Sequence, residues 1–164
     1  MLNSHIILQK SRHGKAVFAN KDFNKGDSII EFRGKIYRRK DRSKGLHSKI
    51  NHYLQIGKDL YLGPSKRIDD YINHSCNPNC GIKISDRIGL FAIKQIRKGA
   101  EITFDYSTTM DEDYWEMDCS CGSRNCRKRI RDFKYLPKKL QRKYIEMRIV
   151  PEYIIENLRI GRDK

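Results

Sequence analysis

All five cysteines of this 164-residue chain fall in two short stretches, and no other feature restricts the fold as much. Cys76 and Cys80 lie in Asn73-His74-Ser75-Cys76-Asn77-Pro78-Asn79-Cys80, and Cys119, Cys121 and Cys126 form a C-x-C-x4-C cluster further along. Three thiolates on one short loop suit a tetrahedral zinc ion, which in a structural site takes four soft or borderline ligands and leaves no open position. The fourth sulfur must come from upstream, from Cys76 or from Cys80. A metal so bound would staple the C-terminal segment over the Asn73-His74 region and build a site from distant pieces. An odd, clustered set also argues against a secreted disulfide framework and for a reducing compartment.

The length suits one domain with a real core, although 38% hydrophobic and 34% charged residues make that core lean. No apolar run approaches the roughly 18 residues of a membrane span, and residues 1–9 lack the charged region and cleavage site of a signal peptide. A soluble chain made in a cytoplasm, without a membrane partner, is expected. Its 35 Lys and Arg against 20 Asp and Glu give a net charge of +15, a field that attracts polyanions or acidic surfaces without a defined site. Nonspecific contact with DNA is consistent with it, through runs such as Arg38-Arg39-Lys40 and Arg127-Lys128-Arg129-Ile130-Arg131. Runs of this kind are more often solvated faces.

The first 106 residues read as many short strands separated by turns. Strand signals sit at residues 6–8, 16–19, 28–32, 52–56, 60–62, 82–84, 88–93 and 101–104, with Gly14, Gly26, Gly34 and Gly99 as punctuation. The polar basic stretch over residues 38–45 has no apolar period and reads as surface. Beyond residue 106 the character changes. Pro137 stands where a helix could start, Leu140, Tyr144, Ile145 and Met147 form a helical stripe, Pro151 breaks it, and a second short helix over residues 152–158 carries Tyr153, Ile154, Ile155 and Leu158. The expected organisation is a body over residues 1–110, a cysteine loop over 111–130 and a helical extension over 131–164.

Four motifs in fixed order, with the cysteine cluster behind them, carry a family resemblance. They are Ser11-Arg12-His13-Gly14-Lys15-Ala16-Val17-Phe18-Ala19, Ile30-Glu31-Phe32-Arg33-Gly34-Lys35, Tyr71-Ile72-Asn73-His74-Ser75-Cys76-Asn77-Pro78-Asn79, and Gly99-Ala100-Glu101-Ile102-Thr103-Phe104-Asp105-Tyr106. From about residue 11 to 127 the chain resembles a SET-domain protein lysine methyltransferase followed by a post-SET zinc loop. The resemblance implies a mainly β fold of several short curved sheets with a knot-like chain crossing. It implies that Gly14, Lys15 and Ala16, with Asn73 and His74, hold S-adenosylmethionine, and that Cys76, Cys119, Cys121 and Cys126 bind structural zinc while Cys80 is a buried thiol.

The same resemblance makes Tyr106 the catalytic residue, orienting a lysine amine for in-line displacement at a sulfonium methyl, a reaction in which alignment is most of what a protein can supply. Phe32, Tyr53 and Phe104, with Tyr61 as a further candidate, would line the lysine channel. Phe104 lacks a hydroxyl that would restrain the amine, which points to di- or trimethylation. Tyr114 and Trp115 could wall the site or anchor the linker. Departures from the family pattern are Ala16 for a second glycine, Phe32 for a common tyrosine, Asp70-Tyr71 before the Asn73-His74 strip with Arg67 displaced upstream, and nothing before Ser11 resembling a pre-SET zinc cluster. The expected partner is a protein substrate, a histone or nucleosome by default, in nucleus or chromatin or delivered to a host nucleus; oligomeric state is open. The competing readings are a non-histone substrate, or a non-catalytic zinc- and nucleic-acid-binding module on a SET scaffold.

Overall fold

The alternating apolar residues of β1 (Ile6–Ser11) and β2 (Gly14–Ala19) meet as an antiparallel hairpin with Ile6 opposite Ala19 and Ser11 opposite Gly14. Gly14 has φ +97°, a left-handed conformation that a side chain would disfavour just after the tight turn at Arg12-His13. The computed structural model describes residues 5–39, 53–113 and 115–160, apart from the side chain of Ile160. Residues 40–45, His52 and Tyr114, which figure in the sequence expectations, lie outside these. Downstream follow β3 (Ser28–Glu31), β4 (Ile36–Arg38), β5 (Leu54–Gly57), β6 (Leu60–Leu62), β7 (Asn73–His74), β8 (Cys80–Ile84), β9 (Ile88–Ala92), β10 (Thr103–Phe104), β11 (Met117–Asp118) and β12 (Arg129–Ile130), then helices α1 (Lys138–Glu146) and α2 (Glu152–Ile160).

These strands form small sheets. β3, β9 and β8 make an antiparallel sheet in that order, and β4, β6 and β5 make a second, with the hairpin of β5 and β6 interrupted by an irregularity between Gln55 and Gly57. β11 pairs with β12, and β7 runs parallel to β10. The expected run over residues 101–104 is divided: Thr103 and Phe104 pair with β7, whereas Glu101 bridges to Phe18, and Ile102 N–H donates to the Val17 carbonyl at 2.8 Å. That one segment therefore ties the first hairpin to the Asn73-His74 strip.

Strand alternation divides the apolar residues between two cores. Leu90 and Ala92 of β9 join Val17, Ile29, Ile82 and Ile102 in the first, while the intervening Phe91, with Ile93, packs against Phe133, Tyr144, Ile149 and Ile154 of the helical end. Gly81 marks how closely the two halves meet, since a Cβ there would lie 2.2 Å from Ile149 Cγ2. Both helices lie where the sequence places them, with Pro137 at the N-cap of α1 and α2 continuing to Ile160. One polar residue interrupts the expected stripe: Gln141 is as buried as Tyr144, because its Nε2 donates to the carbonyls of Lys134 at 2.9 Å and Leu136 at 2.8 Å. A buried amide so satisfied costs little.

Candidate active site

Parallel pairing of β7 with β10 sets His74 beside Phe104 and delivers the next residues, Asp105 and Tyr106, to the same place. Asp105 is 1% exposed and is gripped from three directions. Arg127 donates to it in bidentate fashion, Nη1 to Oδ2 and Nη2 to Oδ1, both at 2.7 Å; Tyr144 Oη donates to Oδ2 at 3.0 Å; Ser107 N–H donates to Oδ1 at 3.1 Å. A single carboxylate thus joins the SET-like body, the segment after the cysteine cluster and helix α1. Planar two-point pairing of this sort is both stronger and more directional than a single contact.

Tyr106 N–H donates to His74 Nδ1 at 3.2 Å, which fixes the ring: Nδ1 carries the lone pair, so Nε2 carries the proton. Nε2 faces Cys76 Sγ at 3.3 Å and donates to it. Burial, with a smaller contribution from Arg127 and against the pull of Asp105, drops the His74 pKa to about 4, so the imidazole is neutral as this arrangement requires. His74, Cys76, Cys119 and Cys121 place ligand atoms within 4.8 Å of one another. Cys126 Sγ lies 3.7 Å from Cys119 Sγ, which is 3.9 Å from Cys76 Sγ. Tetrahedral zinc with sulfur at about 2.3 Å spaces its ligands at about 3.8 Å, so these separations fit a four-thiolate site. His74 cannot be one of the four without giving up its bond from Tyr106. Backbone N–H groups of Arg127, aimed at Cys76 Sγ at 3.3 Å, and of Cys76, aimed at Cys121 Sγ at 3.5 Å, further mark these sulfurs as acceptors. Cys80 is fully buried in β8 and does not share in the cluster; burial pushes its thiol up to about 12. Of the two upstream cysteines, Cys76 is the one whose sulfur lies beside Cys119.

A channel passes beside this cluster, lined by Phe32, Tyr53, Phe104, Tyr106 and Trp115. The rings touch in sequence: Phe32 to Phe104 at 6.2 Å between centroids, Phe104 to Tyr106 at 4.8 Å and Tyr106 to Trp115 at 6.5 Å. Trp115 therefore walls the channel and also packs on the sulfur cluster. Tyr106 Oη donates to the Ile72 carbonyl at 2.8 Å, and burial together with Glu101 raises its pKa, so it is a neutral phenol with free lone pairs. Tyr61 is buried and donates to Glu112 Oε2 at 2.8 Å. Glu112, Asp69 and Asp70 add three carboxylates to the lining against the one guanidinium of Arg33.

The first motif meets the site from the other side. Gly14 and Lys15 are exposed while Ala16 is fully buried within the hairpin ladder opposite Gln9, so its methyl fills the core and no glycine is required there. Lys15 Nζ lies 5.6 Å from the centre of the Tyr71 ring, just before the strip. Asn73 donates to Glu101 Oε1 at 2.9 Å. Arg12 Nη2 donates to the Ser120 carbonyl at 2.8 Å, between two of the cysteines. First motif, Asn-His strip and cysteine loop are thus brought together.

The sequence reading of the basic run changes at one residue. Arg127 is an internal partner of Asp105, with its side chain only 15% exposed, and Arg129 and Arg131 are held by Glu116. Within the run, Arg127 is thus turned inward, while Lys128, Arg129 and Arg131 stay exposed. Asp105, Arg127, Glu112, Asp69 and Tyr144 went unassigned in the sequence. Only Asp105 stood inside a motif; the others are scattered, and nothing in local pattern signals their convergence.

Comparison with known proteins places this geometry. A model of the SET domain matches residues 14–107. Human histone-lysine N-methyltransferase 2D is 32% identical over 142 residues, which cover 76% of this chain and 2% of the relative. Histone-lysine N-methyltransferase trithorax of Drosophila virilis is 32% identical over 137 residues, or 74% of this chain and 3% of its own. Among solved structures, KRYPTONITE in complex with mCHG DNA and SAH is 26% identical and superposes with a TM-score of 0.63 over 78% of this chain and 29% of that one. The chain belongs to the SET-domain family, and its mainly β architecture of short sheets is that family's fold. It spans a few per cent of the length of the two curated relatives named above.

Proposed function

We propose that this chain transfers methyl groups from S-adenosylmethionine to the ε-amine of a lysine in a protein, with a histone, free or in a nucleosome, as substrate. The observation that carries the proposal is the aromatic channel with three carboxylates in its lining and the anchored Tyr106 hydroxyl among its walls. Aromatic faces and carboxylates attract a lysine ammonium, and a +15 protein would otherwise repel a basic substrate. The relatives named as histone-lysine methyltransferases support the choice of a histone.

S-adenosylmethionine, when bound, supplies the electrophilic methyl on a positively charged sulfur. Gly14, Lys15 and Ala16 would hold it along the first motif, where Gly14 and Lys15 are exposed, and Asn73 and His74 through the strip beside them, as the family resemblance implies. The remaining work falls to this chain's residues. Tyr106 gives its proton to the Ile72 carbonyl, so its oxygen accepts an N–H from the incoming amine and fixes the direction of the nitrogen lone pair. A phenol with a raised pKa serves as positioner and not as base. Phe32, Phe104 and Trp115 exclude water from the reacting nitrogen. Phe104 offers no hydroxyl to restrain a methylated amine, and di- or trimethyllysine is the product we propose. Cys76, Cys119, Cys121 and Cys126 would hold zinc as a structural ion, stapling Trp115 and Arg127 to the site.

Incubation with methyl-labelled S-adenosylmethionine and core histones, free and as nucleosomes, tests the reading. Label on one histone lysine is expected. Absence of both label and cofactor binding would overturn it.

A further inference from the structure

Helix α1 presents a cationic face that Glu146 interrupts at its C-terminal end. Lys138, Lys139, Arg142 and Lys143 are all exposed, and at about 100° per residue they fall on one side, away from buried Gln141 and Tyr144. Glu146 is the only carboxylate of the helix. Among the described residues no ion pair is formed by any of these four cations, and their one polar contact is Lys138 Nζ with Gln141 Oε1 at 3.5 Å. Lys138 with Arg142, and Lys139 with Lys143, are like charges at i, i+4, and two of the four stand in the first turn where the helix dipole is already positive; both arrangements destabilise the helix.

Elsewhere in the described residues Arg127 pairs with buried Asp105, and Arg129 and Arg131 pair with Glu116 and Arg97 with Asp22 at the surface. On α1 four cations share one face without forming an ion pair among the described residues. Its apolar side is already spent on the cluster of Tyr144, Ile149 and Ile154, so nothing remains to insert into a bilayer. The four cations span about 7.5 Å of helix axis, against a duplex carrying one phosphate charge per about 1.7 Å.

We propose that α1 is a docking face for the phosphate backbone of duplex DNA, bound without regard to sequence and outside the residues matched by the SET-domain model. The test is fluorescence anisotropy of a labelled duplex across a salt series, with a variant carrying Lys138→Gln, Lys139→Gln, Arg142→Gln and Lys143→Gln. A charge-matched control carries Lys21→Gln, Lys25→Gln, Arg87→Gln and Lys98→Gln, all exposed positions elsewhere. The α1 variant is expected to bind at least about 10-fold more weakly, with a log–log salt slope shallower by about 3, while the control changes by less than about 3-fold. Thermal melting of both variants should match wild type, as removal of like charges relieves the helix. Equal losses in the two variants, or none in the α1 variant, would overturn the proposal. So would binding through α1 to phosphatidylserine-containing vesicles or to polyglutamate as tight as to DNA.

Discussion

At the scale of single residues the site hangs on Asp105 and His74. Asp105 has no solvent to fall back on, and Arg127 supplies both of its strongest bonds, so Arg127→Met should strand a buried carboxylate and lower stability by about 3–5 kcal/mol. Urea unfolding measures this; a loss under 1 kcal/mol would show that the pair contributes little. At Phe104, 4.8 Å from the Tyr106 ring, Phe104→Tyr adds a hydroxyl to the channel and should shift product from di- or trimethyllysine towards monomethyllysine, read by mass spectrometry of the substrate peptide. Part of the arrangement was legible at this scale: Phe32, Tyr53, Phe104 and Tyr106, singled out in the sequence, line one channel, and the Asn73-His74 strip runs beside Phe104. Arg127 was not, because a lone basic residue in a basic run looks the same whether it faces water or folds back onto an acid 22 residues upstream.

Among the elements, the cysteine loop and the α1–α2 turn govern how the pieces hold together. The loop touches the first motif through Arg12, and a Cβ on Gly122 would lie 2.4 Å from Arg12 Nη2. Trp115 is the one tryptophan and packs on the sulfur cluster, so its emission reports the loop. Stripping metal with a strong chelator should red-shift that emission and weaken cofactor binding together, as the loop pays its ordering entropy only when ligand binds. Unchanged fluorescence would separate the loop from any metal. At the other contact, Gly81→Ala should drive a methyl into Ile149 and destabilise the fold by about 1–3 kcal/mol, seen as a lowered Tm. Strand and helix positions were readable because alternation and proline punctuation are local signals. The burial of Gln141 had no signal in the sequence, because its cause, two carbonyls at the end of the preceding turn, is tertiary.

Across the whole molecule charge is sorted by place. A net +15 surrounds a channel with Asp69, Asp70 and Glu112 in its lining, so the exterior and the site favour opposite partners. Composition alone could not show this, since it counts charges without locating them. Methylation of nucleosomes should therefore fall more steeply with added salt than methylation of a free tail peptide, because exposed cations are screened and the channel carboxylates are sheltered. The account stands most directly on Tyr106. Wild type and Tyr106→Phe should be compared for single-turnover methyl transfer and for S-adenosylmethionine affinity. Loss of the oxygen that orients the amine predicts a rate lower by about 100-fold or more with cofactor affinity nearly unchanged; equal rates in the two proteins would contradict it.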